Sequence, residues 1–254
     1  MTREIKLTLF ILLITGITVV FLGCGLMKKI NKPKEIRDIA YDVNKNYGYT
    51  VYFEENAKFV PYLVLTDDYN GNVLLLRKHI LNEVMIFNPN DRYNGYYENC
   101  VIDKFLNEEF INSFTPEMQK QIADSKIVIT AKSSLGICGE ATTDINRKIF
   151  LLSYTELGLT KESIATVEGK ALKYFHNGPS RIAYLETGVA AGWWLRTSYT
   201  VYDTTAWSVG FDSTTGSVGV DHANGVRPAF CVDGKTSIEA SEEVIKGETV
   251  YILK

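Results

Sequence analysis

Apolar residues run almost unbroken from Leu7 to Gly23 and then give way to short alternating blocks, one helical stretch and a second set of alternating blocks. Tyr49-Thr50-Val51-Tyr52-Phe53 and the run from Phe59 to Thr66 are rich in strand-forming residues. Asn70-Gly71 separates the second of these from Val73-Leu74-Leu75-Leu76, and an Asn-Gly pair between two β runs predicts a hairpin, because both residues tolerate positive φ. Val101, Phe105, Leu106, Phe110 and Phe114 recur near helical spacing and predict a helix that ends before Thr115-Pro116-Glu117. There a capping Thr, a Pro at the first helical position and an acid in the first turn predict a second helix running to about Asp124.

Ile127 to Thr130 reads as a short strand, Lys132 to Lys148 as an irregular loop, and Ile149 to Leu152 as a buried run. Ser153 and Glu156 have the spacing of a capping box and predict a short helix to about Leu157. One more short helix and a polar loop are expected between Thr160 and Ala183. The last third returns to strands. Trp193-Trp194-Leu195-Arg196 is aromatic, and Trp207, Val209 and Phe211 alternate with Ser208 and Gly210. Asp212 to Gly216 is a turn leading to a partner strand, Ser217 to Val220. Gly225 to Val232 is another strand, and Val250 to Leu253 closes the sheet.

With 254 residues, the chain has room for one domain of about 200 residues after an N-terminal segment and a linker. The divisions expected are a signal segment over 1–24, a lysine-rich tether over 25–46 containing Pro33, and a folded domain over 47–254. A net charge of -3 offers no basic footprint, so nucleic acid is not an expected partner. Beyond Cys24 there are Cys100, Cys138 and Cys231, an odd number without CxxC spacing. Neither a zinc ribbon nor a redox motif is indicated, and sequence does not choose a disulfide pair. The histidines His79, His176 and His222 lack ligand spacing, no acidic cluster suits calcium, and no GxSxG elbow is present. No metal, no cofactor and no catalytic residue is assigned.

Phe21-Leu22-Gly23-Cys24-Gly25, behind a charged start and an apolar core, resembles the lipobox of bacterial lipoproteins. The resemblance implies a diacylglycerol on Cys24 and a domain on the outer face of the bacterial cytoplasmic membrane. The other reading is an uncleaved anchor helix, since Leu7 to Met27 is close to the roughly 20 apolar residues that span a bilayer.

Trp193-Trp194-Leu195-Arg196, the strand around Trp207 and Gly225-Val226-Arg227-Pro228-Ala229-Phe230 together resemble a bacterial domain family of unknown function with a WWLRS…GVRPA signature. That family is in turn distantly similar to the C-type lectin-like fold. The resemblance implies an α+β domain: an irregular antiparallel β core with two main helices carrying a variable loop region.

Arg196 and Arg227 lie on apolar strands beside aromatics, and a buried guanidinium must be paired or stacked. Together with Trp193 and Trp207 they are read as structural residues of the signature. Trp194, on the opposite strand face from Trp193, is a candidate ligand platform, and so are the Tyr-rich loops with Tyr93, Tyr96 and Tyr97 and with Tyr199 and Tyr202. The chain has 15 Tyr residues, and most are read as filling half-exposed strand positions, which suit Tyr. The reading that follows is a surface-anchored lipoprotein with a binding domain for glycan or protein. The alternatives are a cell-envelope enzyme with a loop-built site and a structural subunit of a surface complex.

Overall fold

Asn70 and Gly71 adopt φ of 53° and 86°, the paired positive values that a tight two-residue turn demands. Around that turn the strand Lys58–Tyr69 folds back on the strand Asn72–Arg77. The computed structural model describes residues 33–44, 50–89, 95–132, 138–159, 165–245 and 248–253. The apolar segment ending at Cys24, and Tyr93, lie outside the described residues.

In chain order, β1 (Thr50–Glu55), β2 (Lys58–Tyr69) and β3 (Asn72–Arg77) form a meander, followed by the two-residue β4 (Met85–Ile86). A helical stretch comes next: α1 (Val101–Lys104) continues through one π turn, Phe105–Glu109, into a 3-10 turn, Phe110–Ser113. The short α2 (Pro116–Gln121) precedes β5 (Ser125–Lys132), β6 (Cys138–Arg147) and β7 (Ile149–Phe150). After an irregular segment come β8 (Ala183–Tyr184), β9 (Ala190–Ala191), β10 (Trp193–Ser198), β11 (Thr205–Val209) and β12 (Thr215–Gly219). The chain then runs through β13 (Ala223–Asn224), β14 (Ala229–Val232), β15 (Ile238–Ile245) and β16 (Glu248–Leu253).

The main sheet has seven strands in the order β15-β16-β1-β2-β3-β14-β7. Its pairings are antiparallel apart from β1 with β16. β10, β11 and β12 form a separate three-stranded sheet, and β5 pairs with β6. Phe230, on β14, marks the core: its ring lies 5.4 Å from Phe53, 5.0 Å from Tyr62 and 5.5 Å from Phe114 at the end of the helical stretch. Such edge-to-face contacts fasten the helix onto the sheet.

The α+β, C-type lectin-like architecture with two main helices is not what the chain adopts. Among the described residues the structure is mostly β, with 46% strand, 15% helical residues and one helical stretch of 13 residues, and no lectin fold is identified. Two local misreadings account for the difference in balance. The helix capped by Thr115, whose Oγ1 accepts from Met118 N–H, stops at Gln121 instead of Asp124. Ile122 is drawn into a β-bridge with Val232. And the segment read as an irregular loop before Lys148 contains β6, paired in register with β5 from Ser125↔Arg147 to Thr130↔Thr142. Its side chains from Ala141 to Asp144 are exposed, so the strand carries no apolar alternation to betray it.

The segment from Pro33 belongs to the compact unit. A 3-10 turn, Ile36–Ile39, buries both of its isoleucines, and Ile36 N–H, Ile238 N–H and Tyr41 N–H bond to the carbonyls of Thr236, Lys34 and Val64. This part of the stretch expected as a tether is therefore docked on the domain. Among the described residues, no helix is long and apolar enough to cross a membrane.

Candidate functional site

The strand carrying Trp193, Trp194 and Leu195 also places Arg196 wholly inside the protein. A guanidinium there must find partners for all its N–H groups. Arg196 forms a two-pronged pair with Glu156, Nη1 to Oε2 and Nη2 to Oε1, both 2.8 Å. It also donates Nε to the Val128 carbonyl and Nη1 to the Leu151 carbonyl. Glu156 is held in place by the Ser153 box: Ser153 N–H donates to Oε2, and Glu156 N–H donates back to Ser153 Oγ. The capping pattern in the sequence is thus real, but it closes a run of turns in place of a helix, and its carboxylate serves Arg196.

A second buried carboxylate, Glu168, stands 3.8 Å from Arg196 Nε. It accepts from Thr130 N–H and Oγ1 at 2.7 and 2.6 Å and from Thr197 Oγ1 at 2.7 Å. Burial pushes its pKa up, while Arg196 and the threonine donors pull it back only in part. For Arg196, burial works against the charged form, but Glu156, Tyr69 and Glu168 together outweigh it and the pKa stands above the ordinary value. The network ties together β5, the turn after Ser153, the irregular segment Glu168-Gly169 and β10.

This network lies under a surface groove. Tyr69, at the end of β2, donates its hydroxyl to Glu156 Oε1 at 2.6 Å and stacks on Phe150. Burial, then the nearby Glu156, raise the pKa of that hydroxyl, so it stays a donor. Gly169 has φ +85°, and a Cβ there would sit 3.2 Å from Glu156 Oε1. Only glycine lets the backbone pass so close to the carboxylate in that conformation. Tyr69 and Gly169 both line a groove of ≈ 860 Å³. Its rim carries acids, Asp67 and Asp68, and bases, Lys126, Lys170 and Lys173, with Tyr41 beside them. The hairpin tip is fixed to the opposite wall, since Asn70 Nδ2 donates to the Lys126 carbonyl at 2.8 Å.

A family model described as a domain of unknown function, DUF6273, matches residues 70–234. The chain belongs to the DUF6273 family. No curated protein matches the chain, and neither does any solved structure. The DUF6273 match takes in Glu156, Glu168, Gly169 and Arg196, whereas Tyr41 and the groove residues from Leu65 to Tyr69 precede it. The buried network is built inside the DUF6273 stretch, and one wall of the groove outside it.

The residues singled out in the sequence take different places around this DUF6273 domain. Trp194 is wholly buried, with its ring edge on Phe87 and Nε1 donating to the Met85 carbonyl. Tyr97 is buried and its hydroxyl accepts from Leu151 N–H; Tyr96 is buried under Lys132, with its hydroxyl on Glu98. As positioned, these three offer no face to a ligand. Tyr199 is half-buried and stacks on Tyr202, which is 62% exposed, and both lie away from the groove lining.

Trp193, Trp207, Arg196 and Arg227 are all buried. Arg227 lies 5.1 Å from the Trp193 ring and donates to the Arg77 and Lys78 carbonyls. Burial lowers its pKa to about 10. Cys231 is buried and its thiol is pushed up to about 12 by burial, the state of an inert core thiol. Sequence reasoning passed over Tyr69, Glu168 and Gly169. The run Asp67-Asp68-Tyr69-Asn70-Gly71 carried a turn signal only, and Val167-Glu168-Gly169 carried none.

Proposed function

We propose that this chain is a membrane-anchored extracytoplasmic binding protein of the DUF6273 family that takes a glycan segment in the groove above Tyr69 and Gly169. The observation that carries the reading is the lining of that groove: tyrosine side chains beside carboxylates, an amide and ammonium groups, over a floor held by the Arg196–Glu156 pair. Sugar hydroxyls both donate and accept, and Asp67, Asp68, Asn70, Lys126, Lys170 and Lys173 supply both roles. Aromatic faces suit the C–H face of a pyranose. A cavity of this volume is in the range of small-molecule sites, and its floor is preorganised because Tyr69, Glu156 and Arg196 are held by one another. The anchor in this reading is a lipid on Cys24 or, failing cleavage, the apolar segment itself.

The test is a glycan array probed with the full-length chain, with and without chelator. The expected result is a hit that survives chelation and is lost in Lys170→Glu and Asp68→Ala while Tyr202→Ala retains it. An array without hits, or hits indifferent to the groove variants, would sink the proposal. Labelling with a radioactive fatty acid in cells, abolished in Cys24→Ala, tests the anchor separately.

A further inference from the structure

β12 is the outer strand of the three-stranded sheet, and nothing about it discourages pairing. Natural edge strands are usually blunted by Lys, Pro or a bulge. β12 reads Thr215-Gly216-Ser217-Val218-Gly219, without charge or proline, and pairs with β11 in unbroken register from Thr205↔Gly219 to Val209↔Thr215. At the two ends of that register Gly210 N–H bonds to the Thr214 carbonyl and Val220 N–H to the Thr204 carbonyl. Antiparallel pairs alternate between bonded and unbonded, so the even-numbered residues of β12 face β11 and the backbone groups of Thr215, Ser217 and Gly219 point outward. Of these, the Gly219 carbonyl accepts from His222 N–H in the following turn.

Exposed apolar side chains flank this edge at opposite ends. Phe211, 66% exposed, sits in the turn that leads into Thr215. Val201 and Tyr202, 51% and 62% exposed, sit at the other end, where Thr205 N–H bonds to the Tyr202 carbonyl and Thr205 faces Gly219.

We propose that β12 pairs with β12 of a second copy of this chain, antiparallel about a two-fold axis at Ser217. That axis brings Thr215 of one copy opposite Gly219 of the other. Phe211 of each copy then lies at the same end of the joined sheet as Val201 and Tyr202 of the other, and the edge is self-complementary in its backbone. The two Ser217 residues exchange N–H and C=O bonds, and each Gly219 N–H reaches the Thr215 carbonyl of the other copy. The product is a continuous six-stranded sheet made of the two three-stranded ones.

Sedimentation velocity of the full-length chain tests this. The wild type is expected to show a concentration-dependent dimer. Ser217→Pro removes an outward N–H without touching the bonds to β11, and should weaken the dimer by about tenfold or more. Should that variant misfold, Ser217→Lys and Ser217→Glu keep the backbone donors intact. Each alone sets like charges opposite each other across the axis and should be shifted toward monomer, while a mixture of the two should recover the dimer. A wild type that is monomeric throughout overturns the proposal. So does a dimer indifferent to Ser217, or charge variants that fail to recover on mixing.

Discussion

At the scale of single residues, the decisive group is Arg196 with its two carboxylates. Its burial was legible, because an arginine between Leu195 and a run of threonine and serine on an aromatic strand has no route to water. Its partners were not, since Glu156 and Glu168 come from segments whose local pattern says nothing about what lies across the core. Glu168 gives this cluster a pH signature. Burial raises its folded pKa above the ordinary value of 4.5. The stability it contributes is therefore full below that value and is lost as pH rises through the folded pKa. Glu168→Gln, permanently neutral, escapes that loss. Urea denaturation of the two proteins should show the variant gaining on the wild type as pH climbs from about 4.5 to about 7; a pH-independent difference would contradict it.

Elements were legible where turn chemistry or apolar periodicity marked them, and hidden where neither did. The Asn70-Gly71 hairpin, β3 and the helical stretch from Val101 carry such marks. β6 does not, because its residues from Ala141 to Asp144 face water and its partner β5 alone supplies the buried Ile127 and Ile129. α2 was overextended because capping rules fix where a helix starts, while here a β-bridge at Ile122 decides where it stops. The hairpin also bears on the groove, because Asn70 ties its tip to β5. Gly71→Ala would hold an alanine at φ near +86°, with open space around its Cβ, so the cost is conformational alone. Thermal denaturation should show a loss of about 1–2 kcal/mol, and a neutral outcome would mean that the turn relaxes.

At the scale of the molecule, the domain reaches further toward the N-terminus than alternation alone indicated. A four-residue turn offers too short a window for periodicity, and Ile36 and Ile39 look like scattered apolar residues in a charged stretch. Their burial makes the segment 33–41 part of the folded domain. Ile39→Ala should destabilise the domain by about 2–5 kcal/mol, a magnitude a flexible spacer would not show; chemical denaturation of the full chain measures it.

The parallel pairing of Val51 with Tyr251 and of Tyr52 with Ile252 has a consequence for how the protein is made. The ribosome produces the β1–β2–β3 meander early, yet β14, β15 and β16, which flank it, emerge last. Long-range pairings of this kind slow folding, because the intervening chain must first be brought to order. The nascent chain therefore travels with an unfinished sheet, bare on both edges of the meander. Until β14 and β16 leave the ribosome, those two edges stay open to pairing with other chains.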